Sequence, residues 1–221
     1  MATSHQPNRA GRFAEAERND ARIIEAAREV FSLYGIDAPM AQVAEGAGVG
    51  IGSLYRRYPS KEDLLRTLSI DGMQRMQREL EAALALDDPW QGLVQYMERC
   101  VEAGLGSLLN VAGRFPITTE MVEIAERGQS LLPTLLERAK AAGQLRPEIT
   151  ATDIVFIFRL LRPQLSDNPD LAKQLRRRYL ALILDGLRVK NDELPGPSLG
   201  WEEISDRWGR AASETPDQRG G

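Results

Sequence analysis

The chain has 221 residues, of which 43% are hydrophobic, a composition that supplies a substantial core. It carries 32 acidic and 28 basic side chains, so its net charge of −4 excludes nucleic-acid binding through overall positive charge and leaves only a local basic patch for that role. The longest strictly apolar runs, IVFIF and YLALIL, are far shorter than the ~20 residues that cross a bilayer, which excludes a membrane-spanning helix.

The cysteine count and the polar N-terminus indicate the cellular compartment of the protein. Cys100 is the single cysteine, so the chain forms no internal disulfide. Residues 1–18 contain no apolar core of the kind found in secretory signals. We therefore expect a cytoplasmic protein without a membrane partner, and we expect residues 1–18 to form a flexible N-terminal arm.

Apolar spacing predicts four helices after the arm. The first covers 20–34, where apolar residues recur every three or four positions. Two short helices are predicted over 39–47 and 50–58, joined by a glycine turn. Ser60 with Asp63 has the pattern of a capping box, which opens a long fourth helix.

Five further helices are predicted in the rest of the chain. Asp88-Pro89 opens the first of them, and Thr150 with Asp153 forms a second capping box. Their spans follow the apolar spacing and cover 88–111, 119–127, 130–142, 150–165 and 171–189. No alternating strand pattern of useful length and no internal repeat occurs, so the sequence predicts an all-α fold with about nine helices.

The last segment, residues 191–221, begins as a linker with the composition NDELPGPSLG. Trp201, Ile204 and Trp208 then follow at positions i, i+3 and i+7. This spacing fits one short amphipathic helix, and it fits equally well a disordered tail in which the spacing is accidental.

The stretch GAGVGIGSLYRRYPSK, residues 46–61, combines closely spaced glycines with basic side chains. Its spacing matches neither a dinucleotide-binding fingerprint nor a P-loop. Two short helices joined by a tight glycine turn form a helix-turn-helix, in which Leu54 and Tyr58 pack inward. Glycine inside a helix costs roughly 1 kcal/mol relative to alanine, and close approach of the helix to DNA explains that cost. The outward face then carries Gly50, Gly52, Ser53, Arg56 and Arg57.

Residues 21–65 resemble the DNA-binding domain of the tetracycline-repressor (TetR) family. The matching motifs are A-x-x-x-F-x-x-x-G in the first helix, A-x-x-A-G-V at the turn, and L-Y-x-x-[FY]-P-S-K-E after it. The resemblance implies a helix-turn-helix domain over 19–66, and over 67–190 a helical domain that binds a small effector and forms a homodimer. The later part of the chain matches the family only in its helical plan.

The resemblance also implies particular contacts with DNA. It makes Tyr55 and Lys61 phosphate contacts, and it places Gly50, Gly52, Ser53 and Arg56 at the major groove. Two positions depart from the family pattern, in which a threonine often stands at Ala38 and a serine or threonine at Gly50. Alanine can neither cap the second helix nor bond a phosphate, so these departures change the expected contacts but not the fold.

The helices after residue 67 provide candidates for the dimer interface and the effector pocket. DIVFIFRLLRPQL, residues 153–165, is apolar nearly all round, which indicates burial on two sides. In the resembled family the last two long helices pair across the dimer axis. Arg159 and Arg162 interrupt this apolar run and either form salt bridges or meet an acidic effector. The full set of candidate effector residues is Tyr96, Met97, Cys100, Leu108, Asn110, Phe115, Met121, Phe156, Arg159 and Arg162.

Catalysis and metal binding have no support in the sequence. His5 is the single histidine and lies in the arm, and one cysteine cannot complete a metal site with it. We therefore expect no enzymatic activity, metal or cofactor. The sequence predicts a DNA-binding transcriptional regulator, a homodimeric repressor that binds a palindromic operator in double-stranded DNA and is released by a small-molecule effector. The alternatives are an all-α protein-binding or scaffold module and, less well supported, a helical-bundle enzyme.

Overall fold

The computed structural model describes residues 9–105, 115–161, 166, 168–190 and 192–198. Within these residues the chain folds into nine α-helices. They are α1 (Arg9–Tyr34), α2 (Met40–Ala47), α3 (Ile51–Arg57), α4 (Lys61–Leu84), α5 (Pro89–Glu102), α6 (Thr119–Gly128), α7 (Leu131–Ala141), α8 (Ala151–Leu160) and α9 (Pro169–Leu187). The described residues form no sheet, and their single strand-like contact is a bridge between Leu145 and Arg188. The all-α prediction is confirmed.

Three predicted helix boundaries are wrong. α1 begins at Arg9, so the stretch RAGRFAEAER belongs to a helix and not to a flexible arm, because it is rich in the strong helix formers alanine, arginine and glutamate. α5 ends at Glu102, because Gly104 takes a left-handed conformation with φ of 65°. α8 ends at Leu160, because Leu161 leaves the helical conformation with ψ of 40°. Residues 199–221, which include the predicted tail helix, lie outside the described chain.

Two cores divide the molecule. The first packs α1, α2, α3 and the start of α4 around buried apolar side chains such as Phe31, Val43 and Leu54, and we call this part the N-terminal unit. The second packs the end of α4 with α5, α7, α8 and α9, and we call it the C-terminal unit. α4 contributes Leu64 to the first core and Leu80 to the second. α4 therefore takes part in both cores.

The crossing of α4 and α5 depends on the absence of a side chain at Gly92. A Cβ atom there would lie 2.6 Å from the carbonyl oxygen of Ala83 and 3.3 Å from Cδ1 of Leu135. The backbone oxygen cannot move aside as a flexible side chain can, so the two helices would have to separate.

No helix in the described residues is both long and apolar enough to cross a membrane.

We expect Gly92→Ala to lower the free energy of unfolding by about 1–3 kcal/mol, the usual effect of overpacking a core. Gly128→Ala is the matched control, because a Cβ atom at that helical glycine would meet nothing within 4 Å. The control is expected to be neutral or to stabilise the chain by about 0.5–1 kcal/mol. Urea denaturation of the three proteins measures both effects. Equal stability of Gly92→Ala and the wild type would show that α4 and α5 are not in close contact here.

Candidate nucleic-acid interface

A glycine turn connects α2 to α3. Gly48 caps α2 in the left-handed conformation, with φ of 63°, and its backbone N–H donates toward the carbonyls at the end of α2. Arg22 of α1 secures the same turn, since its Nε donates to the carbonyl oxygen of Ala47 at 3.0 Å and its Nη2 donates to that of Gly48 at 3.0 Å. Sequence reasoning missed Arg22, because a lone basic residue on a helix gives no sign of a partner in a distant turn.

The inner and outer faces of α3 lie as the sequence predicts. Leu54 is completely buried in the N-terminal core and Tyr58 is buried at the end of the helix. A Cβ atom at Gly50 or Gly52 would meet nothing within 4 Å, so both glycines open onto free space. The whole outer face is exposed and consists of Gly50, Ile51, Gly52, Ser53, Tyr55, Arg56 and Arg57.

The two arginines of α3 differ in their surroundings. Arg57 donates from Nε and Nη2 to the two carboxylate oxygens of Asp20, at 2.8 and 2.7 Å. The hydroxyl of Tyr58 donates to the same carboxylate at 2.6 Å. These bonds raise the pKa of Arg57 and, with Arg57 as the largest cause, lower the pKa of Asp20. Arg56 is exposed and has no ion-pair partner among the described residues, so its guanidinium is the free cation of α3.

Lys61 opens α4 and is already engaged within the protein. Its Nζ donates to the carbonyl oxygen of Ala38 at 2.9 Å and lies 5.6 Å from the ring centre of Phe31. Ser60 and Asp63 form the predicted capping box at this helix start. Pro39, and not a hydroxyl side chain, is the N-cap residue of α2, and no side chain caps that helix. Lys61 therefore fixes the loop before α2 in addition to any contact with DNA.

Asp20→Asn tests how strongly the Asp20 carboxylate holds α3 in place. The pKa of Asp20 is lower in the folded chain than the value of about 4 expected on unfolding, so its stabilisation is fully present above that value and is lost as the pH falls through the folded pKa. We expect the variant to lose about 0.5–1.5 kcal/mol of unfolding free energy near neutral pH, because Arg57 is largely exposed while the Tyr58 bond is shielded.

Urea denaturation at neutral pH and at about pH 3 measures this loss, which should shrink at the lower pH as the wild-type carboxylate becomes protonated. Glu45→Gln is the control, since Glu45 is an exposed acid without an ion pair in the described chain. A deficit of Asp20→Asn that stays constant over this pH range would contradict the ion-pair explanation.

The candidate effector residues do not form one group. Tyr96, Met97 and Cys100 are fully buried together in the C-terminal core, where the ring of Tyr96 meets that of Phe158 edge-on at 5.7 Å. Burial raises the pKa of the Cys100 thiol to about 12, so this cysteine is an inert core residue. Leu108, Asn110 and Arg162 lie outside the described residues.

The remaining four effector candidates separate into two places. Phe115 and Met121 pack against the N-terminal core, whereas Tyr96 belongs to the C-terminal core. The periodicity that suggested them cannot say which of two cores a helix joins. Phe156 and Arg159 are half-buried on α8, with the guanidinium 5.9 Å from the ring centre. Among the described residues, no three His, Cys, Asp or Glu side chains are placed to hold a metal ion.

Two short helices joined by a glycine turn, the second of them exposed and basic, define a helix-turn-helix DNA-binding protein. A family model for bacterial regulatory proteins of the TetR family matches residues 23–68, and a model for the C-terminal domain of SbtR-like transcriptional regulators matches residues 88–189. The chain is 25% identical over 194 residues to the HTH-type transcriptional regulator SrpR of Pseudomonas putida, a match covering 81% of this chain and 80% of that protein.

Solved structures agree with the family models. The TetR transcription regulatory protein of Mycobacterium vanbaalenii has 27% identity and a TM-score of 0.51, over 80% of this chain and 99% of that one. The TetR transcriptional regulator SCO0520 of Streptomyces coelicolor has 30% identity and a TM-score of 0.50, over 77% of this chain and 98% of that one. The chain belongs to the TetR family of DNA-binding transcriptional regulators.

Proposed function

We propose that this regulator is a homodimeric repressor that inserts α3 of each subunit into the major groove of a palindromic operator and is released by a small-molecule effector. The outer face of α3 carries the proposal. Its two glycines open onto free space and Arg56 has no partner in the described chain, so the backbone can approach base edges while a free guanidinium reaches them. The two α3 helices of the dimer are then about 34–36 Å apart on DNA.

The side chains around α3 divide into base contacts and phosphate contacts. Gly50, Gly52, Ser53 and Arg56 face the base edges, whereas Tyr55 and Lys61 bind phosphates and set the register of the helix. Arg57 contributes less in this arrangement, because its guanidinium is held by Asp20. Loss of Lys61 weakens binding to all sequences alike and also removes the bond to Ala38, so its stability has to be measured beside its DNA affinity.

The dimer is formed by α8 and α9 in this proposal. Leu160 is 76% exposed and Leu182 is 60% exposed, although both belong to helices whose other faces are buried. Large apolar side chains left exposed on two helices of the same unit are typical of a surface that another subunit covers. Phe158 and Leu161, which belong to the apolar run 153–165, are buried inside the subunit's own core.

Effector release follows from the position of α4. Because α4 contributes to both cores, a ligand that shifts the C-terminal unit also shifts the N-terminal unit and changes the distance between the two α3 helices. Tyr96, Met97 and Cys100, with Phe156 and Arg159 of α8, remain the proposed surroundings of that ligand. A coupling of about 1–3 kcal/mol, or about 5- to 150-fold in operator affinity, is usual for such a switch.

Selection of duplexes from a random-sequence pool, followed by titration at several salt concentrations, tests the proposal. We expect an inverted repeat to be enriched and its binding to weaken as salt rises. If the selection enriches no sequence over the others and the protein binds acidic proteins tightly, a protein-binding module would be favoured instead.

A further inference from the structure

A polar cleft lies between the N-terminal and C-terminal units. It has a volume of about 830 Å³ and is lined by residues of α1, α4, α5 and α9. Small-molecule sites usually have volumes of about 300–1,000 Å³, so this cleft has room for an organic ligand. Most of its lining side chains are charged, which distinguishes it from the apolar surroundings of Tyr96 and Met97.

Many of these charges are already paired. Arg28 forms ion pairs with Glu25 and Asp71, which join α1 to α4. Nη1 of Arg99 lies 3.4 Å from Oε2 of Glu79. Arg177 forms an ion pair with Glu102 at the edge of the cleft. Glu98 lies near Arg177, whose pKa is raised chiefly by its bond to Glu102 and to a smaller extent by Glu98. Asp170 occupies the first turn of α9, where the helix dipole favours a carboxylate.

Arg176 of α9 has no such pair among the described residues. Its side chain is half-buried, and its Nη1 is buried without a hydrogen-bond partner in the described chain. Removal from water lowers the pKa of this guanidinium, and no carboxylate offsets that effect. A buried, unpaired cation is unfavourable, and binding of an anion would relieve the unfavourable interaction.

Two further cations line the same cleft. Lys173 lies one turn before Arg176 on the same face of α9, and Arg75 enters from α4. Neither side chain forms an ion pair with another described residue. A half-buried guanidinium with two further cations in the same cleft suits the planar oxygens of a carboxylate or the oxygens of a phosphate.

We propose that this cleft binds a small organic molecule carrying a carboxylate or a phosphate, with Arg176 as the anchor and Lys173 and Arg75 beside it. The ligand would contact α1 in one unit and α5 and α9 in the other, so its binding holds the two units in one arrangement. The proposal goes beyond operator binding and effector release, and it stands whether or not either of them is correct.

The test uses the full chain with two probes, citrate for carboxylates and glucose 6-phosphate for phosphates, each titrated at constant ionic strength. Thermal shift and calorimetry measure binding to the wild type, to Arg176→Gln and to the control Arg178→Gln, which removes the same charge from an exposed position of α9. We expect one probe to saturate the wild type and the control. We expect Arg176→Gln to bind that probe about 10- to 100-fold more weakly, as loss of a charged hydrogen bond implies.

The probe that saturates identifies the class of anion. Saturation of neither probe would overturn the proposal, and so would equal binding by Arg176→Gln and the wild type. Operator binding is measured on the same three proteins without added anion, and their operator affinities should be equal. If the wild type binds the anion but no operator, only the proposed function is contradicted. If it binds the operator but no anion, only this inference is contradicted.

Discussion

Arg56→Ala is expected to lower operator affinity by about 5- to 150-fold, because one good base contact by an arginine contributes about 1–3 kcal/mol. The loss should be largest for the preferred operator and small for unrelated DNA, since Arg56 is expected to read a base edge. The Arg56 side chain is exposed and unpaired in the described chain, so the variant should have the same melting temperature as the wild type. Fluorescence anisotropy with operator and unrelated duplexes measures the change.

Arg57→Ala is the matched comparison for Arg56→Ala. It removes the same charge from the next residue of α3, but from a guanidinium that Asp20 already holds. We expect a smaller loss of operator affinity and a lower stability than for Arg56→Ala. An operator affinity unchanged in Arg56→Ala would show that this face of α3 does not meet DNA.

Leu182→Glu is expected to convert the dimer to monomers and to lower operator affinity by about 10²- to 10⁴-fold, because the two half-sites are then no longer bound by one linked molecule. The side chain is 60% exposed in the subunit, so a carboxylate there can stay in water while the monomer is folded. In the proposed interface the same carboxylate would be buried without a partner. Light scattering and anisotropy report the two effects.

Ile117→Glu provides the control for the dimer. Ile117 is 59% exposed, much like Leu182, but it precedes α6 and follows Phe115, which packs in the N-terminal core. This variant should remain dimeric and bind the operator as the wild type does. A wild-type chain that is monomeric at micromolar concentration, or a Leu182→Glu chain that stays dimeric, would contradict the proposed interface.

Local signals in the sequence were sufficient to predict most of the helices and several of their beginnings. Ser60 with Asp63 and Thr150 with Asp153 form complete capping boxes, as their spacing predicts. The inward positions of Leu54 and Tyr58 follow from a separation of one helical turn. These features depend on residues within a few positions of one another, so a single sequence contains what is needed to predict them.

Contacts between distant residues could not be predicted in this way. Asp20 and Arg57 are 37 positions apart, and no periodicity indicates that one will neutralise the other. The same holds for Lys61 and the carbonyl of Ala38, which are 23 positions apart. Phe115 packs in the N-terminal core, which could not be predicted because an apolar side chain is compatible with either core. Tertiary packing decided each case, and it altered the expected roles of Arg57 and Lys61.

Methylation protection on the selected operator tests the central claim most directly, because dimethyl sulfate modifies guanine N7 in the major groove and adenine N3 in the minor groove. We expect protection of guanine N7 in two patches about one helical turn apart, with one guanine in each patch exposed again in Arg56→Ala. Protection of adenine N3 alone, or guanine protection identical in wild type and Arg56→Ala, would contradict the placement of α3 in the major groove.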